Sequence, residues 1–511
     1  MRDIEGYMTQ VRVRPVCSMH TLTALGSNQG DTEETRLPAP DQPLLTRLDE
    51  AEVAELIERH IEFVDPTGQP VYLESRFVAH YLRRHDGALP VVAAVATLPM
   101  VLPDGTILSG HGLARERGIV FRVPHELQKL LPPAAECTPS AVAEAMRFLA
   151  DEWFCDVEAD YAGKCILIAM ALAIVERLLL PERPAFFITA GQRGGGKTTT
   201  ANMIATAILW RRAAAAAWSP NDEERRKALL AYLGEGVPFI VWDNIPRGAA
   251  ISCPSIEKAL TAETYTDRVL GVSDTRTVPA TAVPVFTGNN IAARGDLASR
   301  SLSARLAVDR PDPENRAFTH PDPLAWTEAN RGRILRALYT IALGNPRLRA
   351  SNPPAAETRF KAWWHLVGSA VEHAAQQHAA HVAAMVMAAH ETCKPSTINF
   401  RTLFLAGEAD EEQSSGLATV LDVLQTRWKG GCEAKDVAAY TGAADEDSIN
   451  FRAAVELASG KVLKVITATT ISWRLKALVD APVQVGNRIL TLRYAADHHG
   501  GTFKVVETGS K

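Results

Sequence analysis

Residues 191–198 read Gly-Gln-Arg-Gly-Gly-Gly-Lys-Thr, a complete G-x-x-x-x-G-K-[ST] phosphate-binding loop. Its flanks suit it. Pro184–Thr189 is a short apolar run that predicts a buried strand, and Thr199–Leu209 carries apolar residues at helical spacing. Strand, glycine-rich loop and helix form one unit. Glycines let successive N–H groups turn inward toward phosphate oxygens, and the helix N-terminus adds a positive dipole end. On this reading Gly191, Gln192, Arg193, Gly194, Gly195, Gly196, Lys197, Thr198 and Thr199 hold ATP. Lys197 reaches the β- and γ-phosphates, and Thr198 offers a hydroxyl to Mg²⁺.

Two further strands complete the nucleotide machinery. Val237–Asn244 is an apolar run ending in Asp243, which predicts a strand that brings a carboxylate beside the loop to hold Mg²⁺ with Thr198. Asn244 follows where many related ATPases carry a second acid. An amide orients water but takes no proton, so Glu263 or a more distant acid is left as the base, or turnover is slow. Val283–Asn290 predicts a third strand, with Asn289 as a sensor of the γ-phosphate or the attacking water; the plain alternative is a Gly-Asn-Asn turn. Arg300 and Arg305 are either solvated arginines or a finger for a neighbouring subunit's site, which needs a head-to-tail ring.

The 511 residues suggest several domains, and 47% hydrophobic and 22% charged residues are ordinary for a globular chain. The net charge of −5 confines any nucleic-acid site to a local patch. Seven dispersed cysteines without a C-x-x-C speak against a zinc ribbon and for a reducing, cytoplasmic setting. The apolar run Cys165–Val175 is too short for a bilayer and predicts a buried helix, so no membrane partner is expected. His373, His378 and His381 read as the polar face of an Ala-rich helix rather than as a metal site.

Composition divides the chain into a polar, disordered arm (1–45), a small mixed domain (46–137) and a phosphate-loop ATPase core (138–345). A helical linker region (346–416) and a final compact unit (417–511) follow, with the polar run Glu408–Ser415 as linker. Pro103-Asp104-Gly105 predicts a hairpin turn, and Thr138-Pro139 a helix start. The final unit reads as three helices followed by a β-hairpin, the order of a winged helix. Residues 461–511 hold eight Lys or Arg against three acids, a local +5. Arg474 and Lys476, on the third helix, are the DNA contacts this predicts; protein contacts alone are the alternative use.

The motif order is distinctive: the loop at 191–198, Asp243-Asn244, Arg268–Gly271 in an expected hairpin, Thr287-Gly288-Asn289-Asn290, Asp296–Arg305 and Asn330-Arg331. It resembles the superfamily III, AAA+-type helicase module of phage and mobile-element replication proteins, which are often primase-helicases. The likeness covers about residues 75–505. It implies an α/β fold with an AAA+-type parallel sheet, flanking helices and a C-terminal winged helix. It also implies a hexameric ring moving 3′→5′ on one DNA strand. A pore hairpin at about Asp267–Pro279 would touch DNA through Arg276 near its tip, and also through Arg268; Asp274 beside Arg276 departs from the pattern. No primase motif precedes Cys137, so a separate primase or polymerase partner is expected. A regulatory or initiator ATPase that binds ATP and DNA without unwinding is the alternative. A metabolic phosphate-loop kinase leaves Gly-Asn-Asn, the paired arginines and the C-terminal unit without a role.

Overall fold

The computed structural model describes residues 9–10, 16–22, 42–47, 50–59, 61–65, 67–83, 92, 94–114, 116, 118–269, 274–307, 316–350, 358–388, 397–485, 488–496 and 501–508. A helix capped by Thr138 opens the central part, α1 (Pro139–Arg147), with Pro at its first turn and the Thr138 hydroxyl accepting from the Ala141 N–H. Asp160 caps α2 (Tyr161–Glu176) in the same way. This helix is apolar all round and buried over most of its length, the signature of a core helix. No helix among the described residues is long and apolar enough to cross a membrane.

Strands and helices then alternate: β1 (Ala185–Ala190), α3 (Lys197–Leu209), β2 (Ala214–Ala217), α4 (Asp222–Gly234), β3 (Phe239–Ile245) and α5 (Pro254–Leu260). A hairpin, β4 (Thr264–Val269) and β5 (Asp274–Pro279), precedes β6 (Val283–Asn289) and β7 (Ser301–Leu306). The five-stranded sheet has the order β2-β3-β6-β1-β7, and every neighbouring pair is parallel. Both faces are covered, as a parallel sheet requires. Phe186, Ile188 and Ala190 of β1 enter one apolar cluster, whereas Ala185 and Phe187 enter another. β3 alternates likewise, with Phe239 and Val241 on one side and Ile240 and Trp242 on the other. On the second side Phe187 stacks on Phe286 at 4.7 Å, and Trp218 meets Trp242 edge-on at 5.9 Å.

The first cluster is larger than the expected domain division. It runs from Ala96 through α1, α2 and α3 to Phe404, taking in α6 (Pro323–Ala329) at its margin, α7 (Arg331–Leu343) and α8 (Ser369–Ala388). The strands around 94–122, including the hairpin turned at 103–105, thus share the core of the central part rather than building their own. A small separate cluster joins Val53, Ala54 and Val78. In the expected disordered arm, Thr9–Gln10, Val16–Leu22 and Gln42–Arg47 pair as an antiparallel sheet. The rest of that arm lies outside the described residues.

The expected linker at 408–415 is overturned: it lies inside α9 (Phe400–Arg427), a single helix of 28 residues. Glu412, Gln413 and Ser415 there are exposed on the helix. Gly416 lies in the same helix, at a close crossing. A Cβ at this position would lie 2.6 Å from the Ala458 nitrogen of the later helix at Glu446–Ser459, so the two helices approach backbone to backbone.

The C-terminal unit comprises β8 (Cys432–Glu433), α10 (Ala434–Thr441), α11 (Glu446–Ser459), α12 (Ala468–Ala477), β9 (Pro482–Val485), β10 (Arg488–Ala495) and β11 (Thr502–Thr508). Its antiparallel sheet has the order β8-β11-β10-β9. Its core joins Leu417, Val420, Leu421 and Leu424 of α9 to Phe451, Ile471, Leu475, Leu490, Leu492 and Phe503.

Candidate functional site

Five parallel strands send all their carboxyl ends to one edge, the place where ligands bind in open α/β sheets. The glycine-rich loop leaves β1 there. Gly194 and Gly196 have φ of 73° and 82°, values a side chain would resist, and a Cβ at Gly191 or Gly196 would meet nothing within 4 Å. The loop is therefore curled and open. Gly196 is the N-cap of α3, which begins at Lys197 with no side chain bonded to its first N–H groups.

β1 and β3 are not neighbours; β6 runs between them and links their ends. Lys197 Nζ donates to Asn289 Oδ1 at 2.7 Å and to the Gln192 carbonyl at 3.5 Å. The Thr287 hydroxyl, fully buried, donates to Asp243 Oδ1 at 2.7 Å. Lys197, Asn289 and Asp243 thus sit on one edge as the sequence predicts. Burial lowers the Lys197 pKa, and the nearby Asp243 carboxylate opposes that shift. Thr198 and Thr199 are exposed at the helix start, whereas Thr200 turns its hydroxyl back to the Gly196 carbonyl at 2.9 Å.

Asn244 is exposed and has a φ of 60°, where β3 and β6 slip out of register between Trp242 and Ile245. Asn tolerates this left-handed backbone better than a longer side chain does. Glu263 is exposed at the foot of the β4–β5 hairpin, its carbonyl accepting from Ala280 at 2.9 Å; among the described residues no hydrogen bond ties it to Lys197, Asp243 or Asn289.

A wall that carries no motif completes the site. A cavity of about 430 Å³ is bounded by the loop, Thr198, Met203, Asp156 and Val157, and by Arg316, Phe318, Pro321 and Pro323. Residues 316–320 form a strap fastened to Asp156. The Asp156 carboxylate accepts from the Thr319 and His320 N–H groups at 2.8 and 2.7 Å. Burial would raise its pKa, but these two N–H groups, together with Cys155 and the nearby His320, bring it below the usual value. Arg316 donates to the Asp156 carbonyl and lies 4.7 Å from the Phe318 ring centre. Arg247, also unforeseen, is exposed and donates to the Gly191 carbonyl at 3.3 Å.

The other predicted residues are dispersed. Arg300 is held within the chain, pairing with Asp296 and donating to the Glu257 carbonyl at 2.7 Å. Arg305 is exposed on β7, the strand beside β1 at the sheet margin. Arg331 is buried and donates to the Ala207 carbonyl at 2.9 Å, closing the far end of α3. The β4–β5 hairpin forms, but Arg276 stands opposite Asp267 rather than near the tip, and its guanidinium donates to the Gly234 carbonyl at 3.3 Å. Arg268 is exposed opposite Thr275. Residues 270–273, the tip itself, lie outside the described residues. His378 is buried and meets the Tyr161 hydroxyl at 3.0 Å, so it is a core residue rather than part of a solvated face. Among the described residues no group of three His, Cys, Asp or Glu could hold a metal by itself. Arg474 and Lys476 lie on α12, with Lys476 exposed and Arg474 half-buried.

No family model matches the chain, and none of the curated proteins does. Among solved structures, the A-form apo structure of the NrS-1 C-terminal region is similar at 12% identity and a TM-score of 0.32, over 86% of this chain and 92% of that one. A second A-form apo structure of that region is similar at 11% identity and a TM-score of 0.35, over 98% and 96% of the two chains. Scores of this size leave fold and function to be argued from this chain's own residues.

Proposed function

We propose that the chain is an ATPase that drives DNA translocation or unwinding in the replication of a phage or mobile element. The observation that carries this is the convergence of Lys197, Asn289 and Asp243 beside an open glycine-rich loop. The loop N–H groups and Lys197 bind the ATP phosphates, and the cavity walled by the 316–320 strap takes the nucleoside. Thr198 and Asp243 offer the hard oxygen ligands that Mg²⁺ prefers, and the ion would offset charge on the phosphate oxygens. Thr287 holds the Asp243 carboxylate in place. Asn289, already bonded to Lys197, orients water toward the γ-phosphate. Water attack there releases ADP and phosphate.

The uncompensated cations of the C-terminal unit supply the DNA contact, and its helix–hairpin order supports a winged helix. Arg305, exposed at the sheet margin, is the better placed arginine for a neighbouring site in a hexameric ring, because Arg300 is engaged within its own chain. The test is ATP hydrolysis with and without forked DNA. Lys197→Ala should abolish hydrolysis; turnover at the wild-type rate by that variant would sink the site. Asn244, an amide where many related ATPases carry an acid, favours a second reading, a regulatory or initiator ATPase that binds ATP and DNA without unwinding. DNA-stimulated hydrolysis without strand displacement would select it.

A further inference from the structure

Helix α12 buries Ile471 and Leu475. At 100° per residue Trp473 falls on the opposite side, and it is 75% exposed. Tryptophan is highly buried on average in folded proteins, and an indole held out in water is open to a ligand. Lys476 shares this face and sits 4.5 Å over the Tyr494 ring, which sets the helix face against the end of β10. On the preceding loop, Val462 and Val465 are 67% and 63% exposed beside Lys461 and Lys464.

Several cations of the C-terminal unit lack an ion pair among the described residues. Arg488 pairs with Asp422 at 3.1 Å and Arg493 with Asp480, but Lys461, Lys464, Arg474, Lys476 and Lys504 have no ion pair among the described residues. Lys504 even stands directly across from Arg493 in the β10–β11 ladder, an opposition that costs stability. Such a surface suits a polyanion. Reading a duplex groove requires paired donors and acceptors, whereas an indole has one donor and no acceptor. What the indole does offer is a flat face for an unpaired base.

We propose that the C-terminal unit holds a single DNA strand, with a base stacked on Trp473 and the phosphates drawn by Lys476 and Arg474 beside it. This deepens the DNA reading above and rests on it. The test uses the full chain and fluorescence anisotropy with three labelled probes: oligo(dT), an abasic strand of equal length, and a duplex. Trp473→Ala should weaken oligo(dT) binding about 5- to 150-fold, the usual worth of one stacked base. Trp473→Phe should keep most of the affinity, and the abasic strand should bind wild type and Trp473→Ala alike. Lys476→Ala should lower the salt dependence by about one released counterion.

Wild-type affinity for oligo(dT) in Trp473→Ala overturns the stacking. If that variant also keeps duplex binding and DNA-stimulated ATP hydrolysis, the motor reading stands without it. A wild-type chain that binds none of the probes overturns both. Unchanged DNA binding by Trp473→Ala, with loss of an assembly seen by light scattering, makes Trp473 a protein contact and overturns the proposal.

Discussion

Lys197 Nζ bonds Asn289 Oδ1 directly, joining the start of α3 to the end of β6. Truncating Asn289 leaves the ammonium in place but frees it to swing, and removes the amide proposed to orient water. Asn289→Ala should therefore keep nucleotide binding within a few-fold while lowering kcat about 10- to 100-fold, as steady-state kinetics would reveal. Asn244 shows a different constraint. Its backbone at a φ of 60° selects the residue before chemistry does. Asn244→Ala should cost about 1 kcal/mol in urea unfolding and Asn244→Gly little, an order that would reverse if the side chain held the fold. The sequence placed Lys197, Asp243 and Asn289 because a short motif fixes the first at a helix start and the other two near strand ends. It did not explain Asn244, since a register slip belongs to a pair of strands.

Glu176 was not singled out by any motif, yet it is buried and accepts the Val101 N–H on both oxygens at 3.1 and 3.2 Å. Burial drives its pKa up to about 8, with the Val101 N–H opposing. Its folded value thus lies above its unfolded one. The stability it contributes is full below about pH 4.5 and is lost as pH rises toward 8, because the unfolded chain ionises freely while the folded chain does not. Glu176→Gln should flatten the stability profile over that window by several kcal/mol at most, measured as denaturation midpoints across pH. A wild-type profile that climbs over the same window would contradict this.

At the scale of elements, alternation and capping made the central strands and helices readable. The run before the loop, the acid-ended strand and the Gly-Asn-Asn strand each carry a local signal, and the sheet then needs all three. The 316–320 strap carries none. Arg316 and Phe318 become a wall only because Asp156, far away in sequence, fastens the segment by two N–H groups. Asp156→Ala should loosen the strap and raise the KM for ATP several-fold with less effect on kcat; a change in kcat alone would place Asp156 elsewhere in the reaction. The α9 helix was misjudged for a related reason. Polar residues at 408–415 look like a tether until Gly416 is seen against Ala458. Gly416→Val should destabilise the C-terminal unit by about 1–3 kcal/mol, read by thermal melting, through overpacking at that crossing.

At the scale of the molecule, two apolar clusters clothe the sheet and a third supports the C-terminal unit. Subunit association can be tested separately from unwinding. If Arg305 completes a neighbour's site, Arg305→Ala should lose hydrolysis about 1,000-fold, and mixing it with inactive Lys197→Ala chains should restore part of it. Full hydrolysis by a proven monomer would remove the ring from the account.

Helix α9 sits between these parts. Near its start, a Cβ on Gly407 would lie 3.4 Å from the Ala298 carbonyl, and its later turns enter the C-terminal core. A Cβ on Gly248, a few residues past Asp243, would lie 3.2 Å from Pro482 of β9. A helix of 28 residues is a rod about 42 Å long with no slack to absorb a displacement. A shift of Ala298 and its neighbours is therefore geared to the C-terminal unit as through a crank. On the proposed reading, a DNA strand held by that unit would be displaced with it.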